Sequence, residues 1–424
     1  MTPPDVTQLR RTLHAHPEVG FTEIGTAATV IEALRAAGCT VRYGAPVCDV
    51  TGLTGLPDEP ELAAAADRAL ARGIDPTLVT ALSGGTTGVV ASVTGNLPGP
   101  VVALRFDLDA LPVTESTDPA HAPAAGGFAS TRPGYMHACG HDGHVAVGVA
   151  LGQRLAADRD FPGEVRLLFQ PAEEGVRGAR ALAAAGCCDD VDVLVAMHLG
   201  LGLPTGTVAA AAVGMMATVK LRVVFTGRPA HAALAPDQGR NALLGAAAAT
   251  LALHGLPPVP GVVTRLNVGR LVAGTAANVV PARAELDIEV RADTEPALAA
   301  LTERVATVLA GAAAMHDLTV ETTETGRATV ARHDPTVTAA VTAAAQRTSG
   351  VTTCRPEATM TASDDATVLM AAVQDHGGRA GYLLVGAGNP APHHHSRFDI
   401  DERALPLAVD LLDHLVRDGN LAAE

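Results

Sequence analysis

The chain reads as an α/β protein: a mainly parallel sheet that carries the chemistry, interrupted by an inserted α+β module of ferredoxin-like order. Three observations predict this. Short β-branched or leucine-rich runs at 101–107, 163–170, 191–198 and 381–386 are separated by alanine-rich helical stretches, the alternation that builds parallel sheets. From about Met216 the pattern changes. Val219, Leu221, Val223 and Phe225 alternate with Thr218, Lys220, Arg222 and Val224, as in a strand of a sheet with one exposed face. Finally, 424 residues exceed what one hydrophobic core usually organises, so two domains are expected.

Residues 1–213 are expected to form the first part of the catalytic domain. Within them 52–85 reads as a small helical insertion. Leu62, Ala66, Ala69 and Leu70 suit one helix face, and Leu78, Val79 and Leu82 after Pro76 suit another. The strand-like runs end at residues that carry chemistry: Asp107 and Asp109 follow the first, Glu173 and Glu174 the second, and His198 closes the third. Open α/β sheets place their sites at the carboxyl ends of strands, so these residues can converge. Residues 214–327 read as the inserted domain. A strand near 217–225 is followed by a helix at 240–253, strands at 262–268 and 284–291, a helix at 296–314 and a strand at 318–324. That order is β-α-β-β-α-β. Residues 328–424 return to complete the catalytic sheet.

Nearly half the chain is apolar, yet Arg, Asp, Thr and Gly interrupt every run before the ~20 apolar residues that a membrane span needs. The first residues carry no apolar core, so a cytoplasmic protein is expected. Six scattered cysteines do not make a disulfide framework, and most should be buried thiols. The formal net charge of -15, with no basic block, argues against nucleic acid and anionic membranes as partners.

Cys139-Gly140-His141 puts a thiol and an imidazole within one tight turn, and Glu173-Glu174, His198 and the triplet His393, His394, His395 follow along the chain. A dispersed hydrolytic metal centre accounts for them together. Cys139, His141, Glu174, His198 and His394 are assigned as ligands, although spacing alone leaves the choice among the three C-terminal histidines open. This donor set suits Zn, Mn, Co or Ni; Mg and Ca would prefer oxygen ligands throughout. Five ligands imply either two metals or one with an open position. Glu174 would bind metal while Glu173 moves protons, first as general base and then as general acid. His254, His316 and His414 stand alone and read as ordinary surface or helix residues.

These residues carry a resemblance. The string from Met136 to His144, with Gln170 to Glu174, Gly227 to Pro236, Asn278 to Pro281 and His394 to Glu402, resembles the metal-dependent amidohydrolase family of aminoacylases, hippurate hydrolases and indoleacetyl-amino acid hydrolases. Within it, the insertion, the phrase 175–180 and His394 to Glu402 are most similar to the branch that hydrolyses p-aminobenzoyl-glutamate. The resemblance implies a zinc-peptidase-like catalytic domain with a lid and dimerisation domain. It selects His394 as the last ligand, four residues before Phe398. It implies that His231 reaches a partner's active site to stabilise the tetrahedral intermediate, that Asn278 helps bind oxyanion or substrate, and that Arg291 binds the substrate carboxylate. Arg105-Phe106-Asp107 stands where the wider family has His-x-Asp, so Asp107 is expected to orient a ligand from behind. Ser363-Asp364-Asp365 has Asp where relatives commonly have Glu, a change expected to alter substrate fit. The implied function is hydrolysis of N-acyl or N-aroyl amino acids, p-aminobenzoyl-glutamate first. It would need Mn or Zn, one or two ions per subunit, in a homodimer or together with a related second subunit. Hippurate, N-acetyl and indoleacetyl amino acids are the alternative substrates, and a non-catalytic metal-binding component of a heteromer is the alternative of another class.

Overall fold

The computed structural model describes residues 5–418 and Leu421. The chain divides into two compact units, one of residues 1–213 and 331–424 and the other of residues 214–330.

The first unit is built on an eight-stranded sheet. From edge to edge its strands are Thr40–Tyr43, Val89–Thr94, Pro162–Gln170, Leu97–Asp107, Val193–Leu199, Arg379–Val385, Thr207–Ala209 and Thr353–Arg355. The four central strands, Pro162–Gln170 through Arg379–Val385, are mutually parallel. Antiparallel pairing is confined to the flanks. Every residue of Val193–Leu199 is buried, which is why this strand reads as an unbroken apolar run: helices cover both of its faces. Register places Asp107 beside Gln170 and His198 beside Leu384, so the carboxyl ends of the central strands share one edge.

Helix His141–Ala157 crosses the sheet with Gly148 against the stacked rings of Phe106 and Phe169, 5.5 Å apart. Its N-cap, Gly140, has φ 87°, a left-handed conformation that glycine adopts without steric cost. The turn therefore presents Cys139 and His141 together. The 52–85 insertion forms helices Glu59–Ala71 and Pro76–Leu82, capped by the carboxylates of Asp58 and Asp75, each with a proline in the first turn. Ala65 and Ala69, one turn apart, make the buried stripe of the first helix. Leu70, expected on that face, points to solvent because it lies about 100° further round.

The second unit is a four-stranded antiparallel sheet, ordered Thr319–Ala328, Ala217–Thr226, Arg283–Ala292, Thr264–Ala273, with helices Ala242–His254 and Glu295–Met315. Sequence order is β-α-β-β-α-β, the ferredoxin-like arrangement. The strand expected at 262–268 is displaced and longer, Thr264–Ala273. Val219, Leu221, Val223 and Phe225 do point into a core, shared with Leu298, Leu301, Val305 and Leu309. Those last four side chains lie on Glu295–Met315, the one described helix long and apolar enough to cross a membrane by length and composition, and here a core helix of this unit.

A β-branched side chain at Gly148 would meet both aromatic rings at 2.8 Å. Gly148→Val is expected to destabilise the protein by about 1–3 kcal/mol, read by chemical denaturation.

Candidate metal centre

Four chain segments meet at the carboxyl edge of the parallel sheet. Cys139 and His141 come from the turn that opens the helix, Glu173 and Glu174 from the loop after Pro162–Gln170, His198 from its own strand, and His393 and His394 from the loop before buried Phe398. That last loop is pinned by the His394 amide, which donates to Ala138 O at 2.8 Å, and by the Phe398 amide, which donates to His395 O at 2.9 Å.

The five ligands predicted from sequence lie together. Donor atoms of Cys139, His141 and Glu174 are within 4.8 Å of one another, as are those of Cys139, His198 and His393. Cys139 Sγ is 3.5 Å from His198 Nε2 and 3.4 Å from His393 Nδ1. Glu174 Oε1 is 3.2 Å from His394 Nε2. Backbone carbonyls orient the rings: His141 Nδ1 is 2.9 Å from Asp109 O, and His198 Nδ1 is 2.8 Å from Leu199 O, which turns each Nε2 inward. His141 Nε2 is buried with no hydrogen-bond partner among the described residues, a cost that a cation would relieve. His393, which the spacing did not select, also faces Cys139, and its Nε2 accepts from the Leu201 amide at 3.0 Å. His395 is exposed and accepts from the Arg397 amide.

Glu173 is buried, with Oε2 3.9 Å from His141 Nε2. Burial, then the charges of Asp364 and Glu174, push its carboxyl well above the ordinary range. Asp109 holds this corner. Its carboxylate accepts from the amides of Glu173 (3.1 Å) and Glu174 (2.9 Å) and lies 3.4 Å from His141 Nδ1. Burial alone would raise the Asp109 carboxyl, but His141 and the Glu174 amide hold it below its usual value. The sequence marked Asp109 only as a strand-end acid.

The orienting role expected of Asp107 falls elsewhere. Asp107 Oδ2 is 3.0 Å from His144 Nδ1 and 2.7 Å from Arg105 Nη1, while His141 is held by Asp109. The strand stops at Asp107, which shares a face with Arg105, whereas Asp109 lies in the loop beyond, where its carbonyl and carboxylate meet His141. His144, three residues after His141 and so on the same helix face, was the missed partner. Arg105 fills the space beneath, bonding Gln170, Asp107, Asp364 and Asp365. Asp364 and Asp365 are thus buried and engaged, and Tyr382 donates its hydroxyl to Asp364. The shorter acid expected to alter substrate fit is part of this buried network, with oxygens of Glu173, Asp364 and Asp365 within 4.8 Å of one another. One guanidinium faces three carboxylates, with the Glu173 carboxylate and the Cys139 thiol nearby. Burial pushes Asp107 up to about 8 and Asp365 up to about 7, against the pull of Arg105. The excess of acid and the thiol–imidazole–carboxylate donor set fit divalent cations of the Zn or Mn kind.

His231, Asn278 and Arg291 belong to the second unit. His231 is exposed on a loop, its Nδ1 accepting from the Ala233 and Leu234 amides, both at 3.2 Å, and it bridges Val279 beside Asn278. Arg291 is part-buried and paired with Glu289 on its own strand, Nε to Oε2 2.8 Å.

A thiol, imidazoles and carboxylates at the mouth of a parallel sheet, with a separate buried acid beside them, define a metal-dependent hydrolase. The chain belongs to peptidase family M20/M25/M40, whose sequence pattern matches residues 103–418. It is an amidohydrolase of that family, as the motif resemblance implied. Indole-3-acetyl-aspartic acid hydrolase of Enterobacter agglomerans is 44% identical over 412 residues, covering 96% of this chain and 94% of that protein. A p-aminobenzoyl-glutamate hydrolase subunit of Escherichia coli (strain K12) is 42% identical with the same coverage. The crystal structure of an aminobenzoyl-glutamate utilization protein from Klebsiella pneumoniae superposes with TM-score 0.82 at 37% identity, covering 97% of this chain and 94% of that one. Bacillus subtilis YXEP, described as a dinuclear metal binding peptidase, superposes with TM-score 0.66 at 27% identity, covering 97% and 96%.

Asp109→Asn keeps the shape of the side chain but weakens the hold on His141 and Glu174. Divalent metal affinity, titrated against a chelating dye, is expected to fall about 10–100-fold. Unchanged affinity would remove Asp109 from this role.

Proposed function

We propose that this chain hydrolyses the amide bond between an aroyl or arylacyl group and an acidic amino acid, with p-aminobenzoyl-glutamate as its preferred substrate. One observation carries the reading: Glu173, a buried acid with Oε2 3.9 Å from His141 Nε2, sits beside the group formed by Cys139, His141 and Glu174 without being one of its members. The 42% and 44% identities to hydrolases of p-aminobenzoyl-glutamate and indole-3-acetyl-aspartate support the substrate class, and the second of these keeps indoleacetyl-aspartate as the alternative.

Cys139, His141, Glu174, His198 and His394 would hold one or two Mn or Zn ions, the YXEP likeness favouring two. When bound, these supply Lewis acidity at the carbonyl and make water a nucleophile at neutral pH. Glu173 takes a proton from the attacking water as its oxygen bonds to the carbonyl carbon. The same carboxyl then donates that proton to the amide nitrogen, so the C–N bond breaks with a neutral amine leaving. Carried over from the family resemblance, His231 of a partner copy would stabilise the oxyanion, Asn278 would help bind oxyanion or substrate, and Arg291 would bind the amino acid carboxylate. Asp109 keeps Glu173 and Glu174 in place throughout.

A second copy of this chain is the partner we favour. Leu243, Leu244 and Leu251 on one helix of residues 214–330, and Leu271 and Val272 on its edge strand, are exposed apolar side chains. A related but different chain is the alternative, since the Escherichia coli relative is one subunit of its hydrolase. We also place the protein in the cytoplasm, supported by six cysteines that are all free, Cys139 among them.

Purified protein with Mn or Zn should release p-aminobenzoate from p-aminobenzoyl-glutamate, and chelator should abolish the release. Glu173→Gln should retain metal and lose about 10²–10⁴-fold in kcat; wild-type turnover in that variant would end this mechanism. Leu244→Glu combined with Leu251→Glu should shift the mass measured by light scattering from dimer to monomer, and a wild-type monomer would refute the self-association.

A further inference from the structure

Beside the donor cluster, and wholly within the first unit, lies a cavity of about 510 Å³. Its walls come from three loops: Leu201 and Gly202 after the His198 strand, residues 359–362, and residues 389–393. His393 is the shared wall. Its Nδ1 is 3.4 Å from Cys139 Sγ, its ring is 5.3 Å from that of His198, and it also lines the cavity. A group in the cavity is therefore one side chain away from the metal donors.

The lining has a definite chemistry. Leu201, Met360, Ala362, Ala391 and the two prolines contribute apolar surface, Thr359 and Thr361 add hydroxyls, Asn389 an amide and His393 an imidazole. Among the lining residues there is no carboxylate, ammonium or guanidinium group. The substrate proposed above diverges at its scissile carbonyl into two unlike halves. One is an amino acid with one or two carboxylates; the other is an uncharged planar ring system. A carboxylate meets no cation among these residues, whereas an uncharged ring gains roughly 25 cal/mol per Å² of apolar surface it buries. At this size the cavity takes a ring system larger than an acetyl group needs.

Resting on that reading of the function, we infer that the cavity between Leu201, Met360 and Pro392 is the acyl-side subsite, and that Ala362 and Ala391, the smallest side chains on two of its walls, set the size of acyl group the enzyme accepts. Both methyl groups leave room that a larger residue would take. The amino acid half then lies outside this cavity, and its recognition is independent of these two positions.

The test uses full-length, metal-loaded protein carrying Ala362→Phe or Ala391→Phe, checked for folding by circular dichroism and assayed on p-aminobenzoyl-glutamate, indoleacetyl-aspartate and N-acetyl-glutamate. In each variant the ratio of kcat/KM for the aromatic substrates over that for N-acetyl-glutamate should fall about 10-fold or more, since even one misfitted methylene in a pocket is worth about that much. Inhibition by free p-aminobenzoate should weaken while inhibition by free glutamate holds. An unchanged ratio in both folded variants, or a change in amino acid preference at constant acyl preference, overturns the assignment. If Ala391→Phe disturbs His393 and lowers every rate alike, Ala362→Phe on a different loop decides. Wild-type protein that hydrolyses none of the three substrates with metal bound would overturn the parent reading instead, and this one with it.

Discussion

The geometry of the centre depends on one carboxylate. Asp109 lies just beyond the end of the Leu97–Asp107 strand, and through its two oxygens and its own carbonyl it fixes the amide of the proposed base, the amide of one ligand and the ring of another. These three partners come from a different strand loop and from a helix. Without Asp109 the Glu173–Glu174 peptide would carry two buried N–H groups with no acceptor, each costing on the order of 1–3 kcal/mol. The same bonds hold the carboxyl of Asp109 in its charged form despite complete burial. A structural necessity and a catalytic one are met by the same atoms.

The loop that Asp109 restrains is strained. Ala172 and Val176 have φ of 50° and 56°, left-handed values that cost side-chain-bearing residues energy, and Gly175 between them has φ 99°. Such a loop persists only where its surroundings over-determine it. Here the Ala172 amide donates to buried Glu23 at 2.8 Å, the Ala179 amide to Asp365 at 2.9 Å, and Arg177 bonds back to the Glu174 carbonyl at 3.3 Å. Arg177 also reaches the Gly55 carbonyl at 2.6 Å, which ties the 52–85 insertion to the residue beside a ligand. The insertion is thus part of the support of the centre.

Much of this was legible in the sequence, for identifiable reasons. The parallel core strands announce themselves because burial on both faces makes them continuously apolar, and the alternation from Ala217 to Phe225 marks a sheet with one open face. The side chains that gather at this edge were legible because thiol, imidazole and carboxylate at strand ends have few other uses. What escaped was anything decided by direction rather than residue type. Asp107 and Asp109 look alike in sequence, and only the point where the strand stops and the approach of the helix decide which reaches His141. Leu70 and Ala65 differ by a rotation about a helix axis, and nothing in the sequence pairs Asp364 with Arg105.

Arg105 explains why its neighbours form a set. A buried guanidinium needs its charge answered on every side, and Asp107, Asp364, Asp365 and Gln170 occupy its donor positions, with Tyr382 completing Asp364. Asp107 joins this network to the donor cluster: its Oδ2 is 3.0 Å from His144 Nδ1, and the His144 ring centre lies 5.1 Å from that of His141 and 4.6 Å from that of His198.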